Sequence, residues 1–340
     1  MKQLHIGKQT IVFDESPAIL SSAAIGGKKE AEGPLAAYFD YTSKDTSFSQ
    51  TSWEKSESKL QELALDTAKR KLGAKYEDID VLFAGDLLNQ CIGSSFALRD
   101  TKIPFLGLYG ACSTMAESLI MAASAVNAGY ARLAAALTSS HFASAERQYR
   151  FPLGYGGQRT PTAQWTVTGA GCCIVGAEGS GIRIKAATIG HIEDLGITDA
   201  NNMGAAMVPA AISTLETHFS DLSCSPADYD LIVTGDLGDL GRRIVLEQLS
   251  ADGYDLTGNY NDCGCMIFDR KRQDVHAGGS GCGCSASVLC GYLLHQLRSG
   301  QIRRLLFCAT GALLSPISTW QGESIPGICH AVSICREGET

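Results

Sequence analysis

The chain has 340 residues, of which 45% are hydrophobic and 19% charged, a composition typical of a folded protein with a large core. Its net charge of -8 at pH 7 argues against nucleic acid as the main partner, because binding to phosphates requires a basic surface. The first residues lack the long apolar core of a signal peptide, and polar residues interrupt the most apolar stretch, residues 119–137. We therefore expect no transmembrane segment and a protein that stays in the compartment where it is made.

The thirteen cysteines lie mostly in apolar runs, which favours reduced thiols in a cytoplasmic compartment. One glycine separates Cys263 from Cys265, and another separates Cys282 from Cys284. Structural zinc sites usually combine CxxC spacing with further paired Cys or His, and no such set is present in this sequence. We therefore predict ordinary core and loop cysteines, with no metal site.

Helices and strands alternate along the whole chain, and the strands are apolar almost throughout, which is typical of sheets covered on both faces. In the first half the sequence predicts a helix over Glu54–Leu72, strands from Ile79 and over Phe105–Tyr109, a helix from Cys112 to Gly129, and strands over Arg132–Thr138 and Thr166–Val175. In the second half it predicts a strand over Ile182–Thr188, a helix over Gly204–His218, a strand from Tyr229, a helix from Gly283 to Gly300, and strands over Arg303–Thr310 and His330–Ile334.

Two blocks recur about half a chain apart, which indicates an internal duplication. The run IDVLFAGDL at Ile79–Leu87 is matched by YDLIVTGDL at Tyr229–Leu237. The helix and strand that follow Gly110 are likewise matched by those that follow Gly283. We predict an N-terminal half over residues 1–180 and a C-terminal half over residues 181–340. An insertion at about 141–164 is of the kind that often forms a dimer contact or a pocket wall.

Cys112 lies at a turn from a strand into a helix, beside the junction of the two halves. Free N–H groups at a helix N-terminus can lower the pKa of a thiol and make it nucleophilic. The alternative is a small core residue that begins the helix, and the local sequence leaves both interpretations open.

Four motifs resemble the thiolase and β-ketoacyl synthase III superfamily and occur in the order found there: Gly110–Met115, Thr168–Gly171, Gly279–Ser285 and Cys308–Gly311. The resemblance implies a thiolase-like α/β fold, in which two duplicated halves with mixed sheets stack as α-β-α-β-α layers. In that superfamily a nucleophilic Cys and His or Asn side chains converge between the halves.

The resemblance also implies where catalytic residues would lie. Cys112 matches the nucleophile, and Cys308 matches the second thiolase cysteine. The thiolase His position falls on Ser280 and the synthase His motif falls near Asp236, so neither supplies an imidazole. Loss of one oxyanion donor typically costs about two to three orders of magnitude in rate. We therefore expect no catalytic residues. The alternative is a β-ketoacyl synthase III or thiolase-like acyltransferase that uses Cys112.

A second set of motifs resembles the stage V sporulation protein AD family of endospore-forming bacteria: Ala23–Gly27, Glu146–Pro152, Gly157–Trp165 and Gly322–His330. This resemblance implies a non-catalytic component of the SpoVA channel complex, which takes up dipicolinic acid in sporulation and releases it in germination. It implies dipicolinate as the ligand, alone or as its calcium chelate, and no cofactor. It also implies SpoVA membrane proteins as partners, a homodimer, and a cytoplasmic position on the core side of the spore inner membrane.

A dicarboxylate could lie between two helix N-termini, since such termini commonly bind anions. We hypothesise that helices beginning at Cys112 and Cys284 each receive one carboxylate, and that the glycines between 278 and 283 allow close approach. Arg147, Arg150 and Arg159 could add charge-assisted bonds, although each alone fits a surface ion pair or a dimer contact better. The residues predicted to contact the ligand are Cys112, His141, Arg147, Arg159, Asp236, Ser280, Gly281, Cys282 and Cys308.

Overall fold

The computed structural model of the protein describes residues 4–149, 159–179 and 181–337. The strands of the first half are β1 (His5–Ile6), β2 (Thr10–Val12), β3 (Ala18–Gly26), β4 (Tyr41–Thr42), β5 (Val81–Gly85), β6 (Phe105–Gly107), β7 (Leu133–Ser140), β8 (Trp165–Thr166) and β9 (Gly169–Gly176). Those of the second half are β10 (Ile182–Ile189), β11 (Leu231–Thr234), β12 (Tyr260–Asp262), β13 (Gly279–Ser280), β14 (Arg304–Ala312) and β15 (Gly327–Arg336).

The helices vary in length from one turn to 20 residues. Those of the first half are α1 (Lys28–Ala31), α2 (Trp53–Leu72), α3 (Ile92–Leu98), α4 (Thr114–Asn127) and α5 (Phe142–Tyr149). Those of the second half are α6 (Met203–Leu222), α7 (Gly238–Ala251), α8 (Cys263–Ile267), α9 (Cys282–Ser287), α10 (Leu294–Ser299) and α11 (Pro316–Trp320). Among the described residues, no helix is long and apolar enough to cross a membrane.

The main strands of each half form a five-stranded mixed sheet, and the two sheets share one arrangement. The order is β6-β5-β7-β9-β3 in the first half and β12-β11-β14-β15-β10 in the second. In each sheet the first three strands are parallel, and the last two each run antiparallel to the strand before. The sheets meet edge to edge where β3 pairs with β10 at Ala18 and Arg183. The two halves therefore repeat one fold, as the sequence predicts.

Three layers of helices alternate with the two sheets. The α4 helix packs against β5 and β7 of the first sheet and against β14 and β15 of the second. It shares this middle core with α9 and α10, while α2 covers the outer face of the first sheet and α6 covers that of the second. Most side chains of α4 are buried because apolar strands lie on both sides of it. The predicted α-β-α-β-α order is confirmed.

The long helix before the first repeat block lies where the sequence predicts it. The prediction of Glu54–Leu72 differs by one residue from the observed α2, Trp53–Leu72. Its start is fixed by Ser52, whose hydroxyl accepts a hydrogen bond from the Lys55 amide at 3.3 Å. Its end is fixed by Gly73, which takes the left-handed conformation at φ 74°.

Three helical features differ from the predictions. The helix predicted over Gly283–Gly300 begins at Cys282 and is widened into a π-helical segment over Val288–Leu293. There Gly291 packs against the Tyr38 carbonyl oxygen, only 2.7 Å from where a Cβ would lie. The predicted insertion contains the α5 helix, and the short helices α1, α3, α8 and α11 and the longer α7 lie where the sequence analysis predicts no helix. Residues 150–158 of the insertion lie outside the described residues.

The middle layer provides a test of the core. Replacing Leu119, which is fully buried in α4, by Ala should destabilise the protein by about 2–5 kcal/mol, since the cavity lies between two sheets that cannot both relax. Met121 is on the same helix but 39% exposed, and Met121→Ala should change stability by less than about 1 kcal/mol. Urea unfolding followed by circular dichroism measures both. Equal losses would contradict the assigned middle layer.

Candidate functional site

A cleft lies at the junction of the halves, and Cys112 is part of its wall. Cys112 occupies a 3-10 turn, Ala111–Ser113, between β6 and α4. The cleft holds about 530 Å³ of space free of protein atoms, including the part open to solvent. Both halves contribute described side chains to its wall: Leu87, Ala111, Cys112, Ala145, Glu146, Tyr149, Thr166, Ala200, Met203, Ser280, Ala312 and Leu314.

The buried carboxylate of Asp236 lies behind this wall. It follows β11 in the turn that repeats the Gly-Asp of the first half. The carboxylate accepts hydrogen bonds from the Gly281 amide at 2.8 Å, the Thr310 hydroxyl at 2.9 Å and the Ser280 hydroxyl at 3.2 Å. The thiol of Cys112 lies beside this carboxylate and interacts with it electrostatically. Burial raises the pKa of Asp236 to about 6, against the effect of these donors.

The thiol of Cys112 is held in its protonated form. Burial raises its pKa well above the ordinary value, and the Asp236 carboxylate and Cys282 raise it further. This is the opposite direction from the shift that the helix N-terminus suggests. The reason is that the sulfur is buried and has a carboxylate beside it, while α4 itself begins only at Thr114. Nucleophilic attack requires a thiolate, so this environment disfavours it.

The second helix N-terminus is already occupied by the protein itself. α9 begins at Cys282 rather than at the predicted Cys284. The Gly281 amide donates to Asp236, and the Gly283 amide donates to the Ser140 hydroxyl at 3.1 Å. Asp236 therefore lies where the two-helix hypothesis places a ligand carboxylate, and that hypothesis does not hold for α9.

Four of the predicted site residues, Cys112, Ser280, Gly281 and Cys282, lie together with Asp236, the fifth. Ser280 lines the cleft beside Cys112. Gly281 has a positive φ of 96°, and a Cβ there would lie 2.7 Å from the Ser140 hydroxyl oxygen. The buried thiol of Cys282 donates to the Ser139 carbonyl at 2.9 Å and packs with Cys112. The two positions where the superfamily would have imidazoles are thus adjacent to the thiol, and they carry a carboxylate and a hydroxyl.

Arg147 and Arg159 are not among the described residues that line this cleft. Arg147 is on α5 and forms an ion pair with Glu54. Arg159 forms an ion pair with Asp274 at 2.8 Å and lies over the Trp165 ring, 4.8 Å from its centroid. Arg150 lies outside the described residues. The ion pairs match the structural alternative that the sequence left open.

His141 and Cys308 also lie away from Cys112. The His141 ring is buried, bonds to the Thr46 carbonyl at 2.8 Å and stacks on Trp53. It lines a second cavity of about 540 Å³, again including the part open to solvent, together with Lys29 and other residues. Cys308 is fully buried in the outer core of the C-terminal half, on the face of β14 that packs under α6.

The sequence did not identify the residues that α5 contributes. Glu146 accepts a hydrogen bond from the Thr166 hydroxyl at 3.2 Å, and Tyr149 donates to the Leu87 carbonyl at 2.6 Å. The apolar spacing of Phe142, Ala145 and Tyr149 is a weak helical signal that could have shown this face. Among the described residues, no group of three or more His, Cys, Asp or Glu side chains is placed to hold a metal ion.

Removing the carboxylate next to Cys112 tests the protonated thiol. Asp236→Asn should lower the pKa of Cys112 and speed its alkylation by iodoacetamide, about tenfold for each pKa unit lowered. Peptide mass spectrometry measures the rate at Cys112 apart from the other cysteines. Asp86→Asn, in the equivalent turn of the first half, is the control and should leave the rate unchanged. A slower reaction in Asp236→Asn would contradict this description.

Comparison with solved structures identifies the fold. The chain aligns with 3-oxoacyl-[acyl-carrier-protein] synthase III from Aquifex aeolicus at a TM-score of 0.58 and 11% identity, covering 94% of this chain and 99% of that one. It aligns with a thiolase from Ascaris suum at a TM-score of 0.60 and 12% identity, covering 95% and 100%. These likenesses show the thiolase-like fold that the sequence predicts.

Sequence comparison gives the family. The profile described as stage V sporulation protein AD matches residues 7–335. The chain is 46% identical over 332 residues to stage V sporulation protein AD of Bacillus subtilis, and the match covers 98% of each chain. An end-to-end match at this identity, on a thiolase-like fold with a carboxylate beside the cleft cysteine, shows that the chain belongs to the stage V sporulation protein AD family.

Proposed function

We propose that this sporulation protein is a non-catalytic binding component of the SpoVA complex, and that it holds dipicolinate in the cleft beside Cys112. The observation that carries the proposal is the buried Asp236 carboxylate beside the Cys112 thiol, where it bonds Ser280 of the same cleft wall. It puts a proton-accepting carboxylate and a neutral thiol where an acyl-transferring enzyme needs a thiolate and an imidazole.

The histidines support the absence of acyl transfer. All seven lie in the described part of the chain, and none lines the cleft. His218 and His330 are buried elsewhere, and burial lowers the pKa of each to about 4. No imidazole is therefore available to activate Cys112 or to stabilise an acyl oxygen.

The walls of the cleft suit a flat ring with polar groups at its edge. Leu87, Met203 and Leu314 offer apolar surface, against which an aromatic ring can pack. The Ser280 and Thr166 hydroxyls lie in the same wall, and each can donate to a ligand carboxylate by turning away from its present acceptor, Asp236 or Glu146.

Calorimetric titration tests the ligand and its place. Dipicolinate should bind, and titrations with and without equimolar calcium compare the free ligand with its chelate. Met203→Trp should weaken binding by roughly tenfold or more, because the indole fills the mouth of the cleft. Thermal unfolding of the variant checks that it folds.

Lys29→Met is the matched control, since Lys29 lines the second cavity and not the cleft. Its binding of dipicolinate should equal that of the unchanged protein. If Lys29→Met loses binding while Met203→Trp retains it, the ligand lies in the second cavity. An acyl adduct on Cys112 after incubation with acyl-CoA would contradict the non-catalytic proposal.

We further propose that the protein works as a homodimer beside SpoVA membrane proteins, on the core side of the spore inner membrane. The edge strand β6 supports the dimer. It is the last strand of its sheet, and its Leu106 is 53% exposed, next to the exposed Phe96 and Tyr109. Exposed apolar edge strands are the usual sites of strand pairing between chains.

A charge in this edge tests the dimer. Leu106→Glu should convert the dimer to a monomer, because two carboxylates would face each other across a paired edge. Light scattering after size-exclusion chromatography measures the mass. Tyr130→Glu changes a residue that is 86% exposed and lies away from β6, so it should leave the dimer intact. A Leu106→Glu dimer would rule out this edge.

A further inference from the structure

Two loops of the C-terminal half form one surface at the mouth of the cleft. Residues 190–199 follow β10, and residues 313–326 join β14 to β15. The Ile325 amide donates to the Ile197 carbonyl at 2.7 Å, and Glu193 exchanges two backbone hydrogen bonds with Gly327. The Ser324 hydroxyl donates to the Asp194 carboxylate. These bonds hold the two loops side by side.

The surface carries large apolar side chains that face solvent. We name Ile192, Leu195, Ile317 and Trp320 the rim patch. Their exposed fractions range from 61% to 80%. Isolated exposed apolar residues are common, but several on adjoining loops mark an interaction surface.

The rim patch has a defined backbone conformation. The Ser315 hydroxyl accepts from the Ser318 amide at 3.1 Å, and Pro316 begins the helix, so α11 has a defined start. Ile317 and Trp320 are three residues apart on this helix and lie on one face. A surface built this way costs little to order when a partner binds.

The charges of the two loops are of one sign. They contain Glu193, Asp194, Asp199 and Glu323, and neither loop contains a Lys or Arg. The single histidine, His191, already pairs with Glu193 at 2.8 Å. An apolar surface within carboxylates is repelled by an anionic bilayer and attracts a basic partner.

We infer that the rim patch docks an amphipathic, positively charged helical segment of a partner protein. The apolar face of that segment covers Leu195, Ile317 and Trp320, and its Lys or Arg side chains reach the surrounding carboxylates. This mode follows the general pattern of an amphipathic helix laid on an apolar surface. The inference does not depend on the ligand of the cleft.

The rim patch adjoins the cleft as well. Ala200 directly follows the first loop, and Leu314 belongs to the second; both line the cleft. A helix docked on the patch would therefore lie over the entrance.

Photo-crosslinking in sporulating cells tests the partner. The full-length protein carries p-benzoylphenylalanine in place of Trp320, and mass spectrometry identifies the crosslinked segment. The expected product is a protein segment with a basic amphipathic helical sequence. A crosslink to lipid, to a second copy of this chain or to an acidic segment, or the absence of a crosslink, would overturn the inference.

A binding measurement with a defined peptide separates the apolar contribution to binding from the electrostatic one. An 18-residue helix of Leu and Lys should bind the purified protein, and the same helix with Glu in place of Lys should not. The double variant Leu195→Ser with Ile317→Ser should weaken binding by roughly tenfold or more. Tyr41→Ser, an exposed aromatic on the other half, is the control and should change nothing.

Salt and vesicles complete the test. Glu323→Gln should weaken binding of the basic helix and reduce its dependence on salt. Vesicles of phosphatidylglycerol should not bind through the patch. Binding to these vesicles that the double variant abolishes would show a membrane-docking surface instead, and equal binding of the basic and acidic helices would contradict the inference.

Discussion

The carboxylate of Asp236 is buried where the two halves meet, and a buried carboxylate is stable only when hydrogen-bond donors surround it. Its hydrogen-bond donors come from two segments far apart in the sequence, Ser280–Gly281 before α9 and Thr310 in β14, and the turn that carries Cys112 lies beside it. Meeting this one requirement fixes the positions of Cys112, Ser280 and Gly281 together. It also keeps the thiol protonated and fills the N-terminus of α9. The chemistry of the cleft thus follows from a structural need of the core.

The repeat shows how one motif can take on two roles. Asp86 occupies the equivalent turn in the first half and is equally buried. Its donors are the Leu88 amide and the amide and hydroxyl of Ser94, all within eight residues along the chain. Asp86 therefore stabilises the start of α3 locally, whereas Asp236 joins segments far apart in the sequence. Duplication supplied the same turn twice, and only one copy came to face the junction.

The fold was largely predictable because its signals are local. Apolar runs closed by Gly-Asp and helices with clear caps, such as Ser52 to Gly73, can be read within a single window. The residues that surround Asp236 were not predictable, because Thr310, Ser280 and Cys112 come together only when the two halves pack. The arginines were misleading for the same reason. Arg147 and Arg159 looked available to an anion, but Glu54 and Asp274, distant in the sequence, pair with them. Sequence spacing carries no information about such long-range neutralisation.

The shared middle layer has a mechanical consequence. Because α4 contacts both sheets and β3 pairs with β10, the halves form one rigid block. Many two-domain binding proteins admit their ligand by a hinge motion that separates the domains. Here that motion would expose the core that the two halves share. A ligand therefore has to enter and leave the cleft by displacement of the outer wall alone. The wall is made of α5 and of the loops around Met203 and Leu314, so whatever holds or moves those segments sets the rate at which the cleft fills and empties.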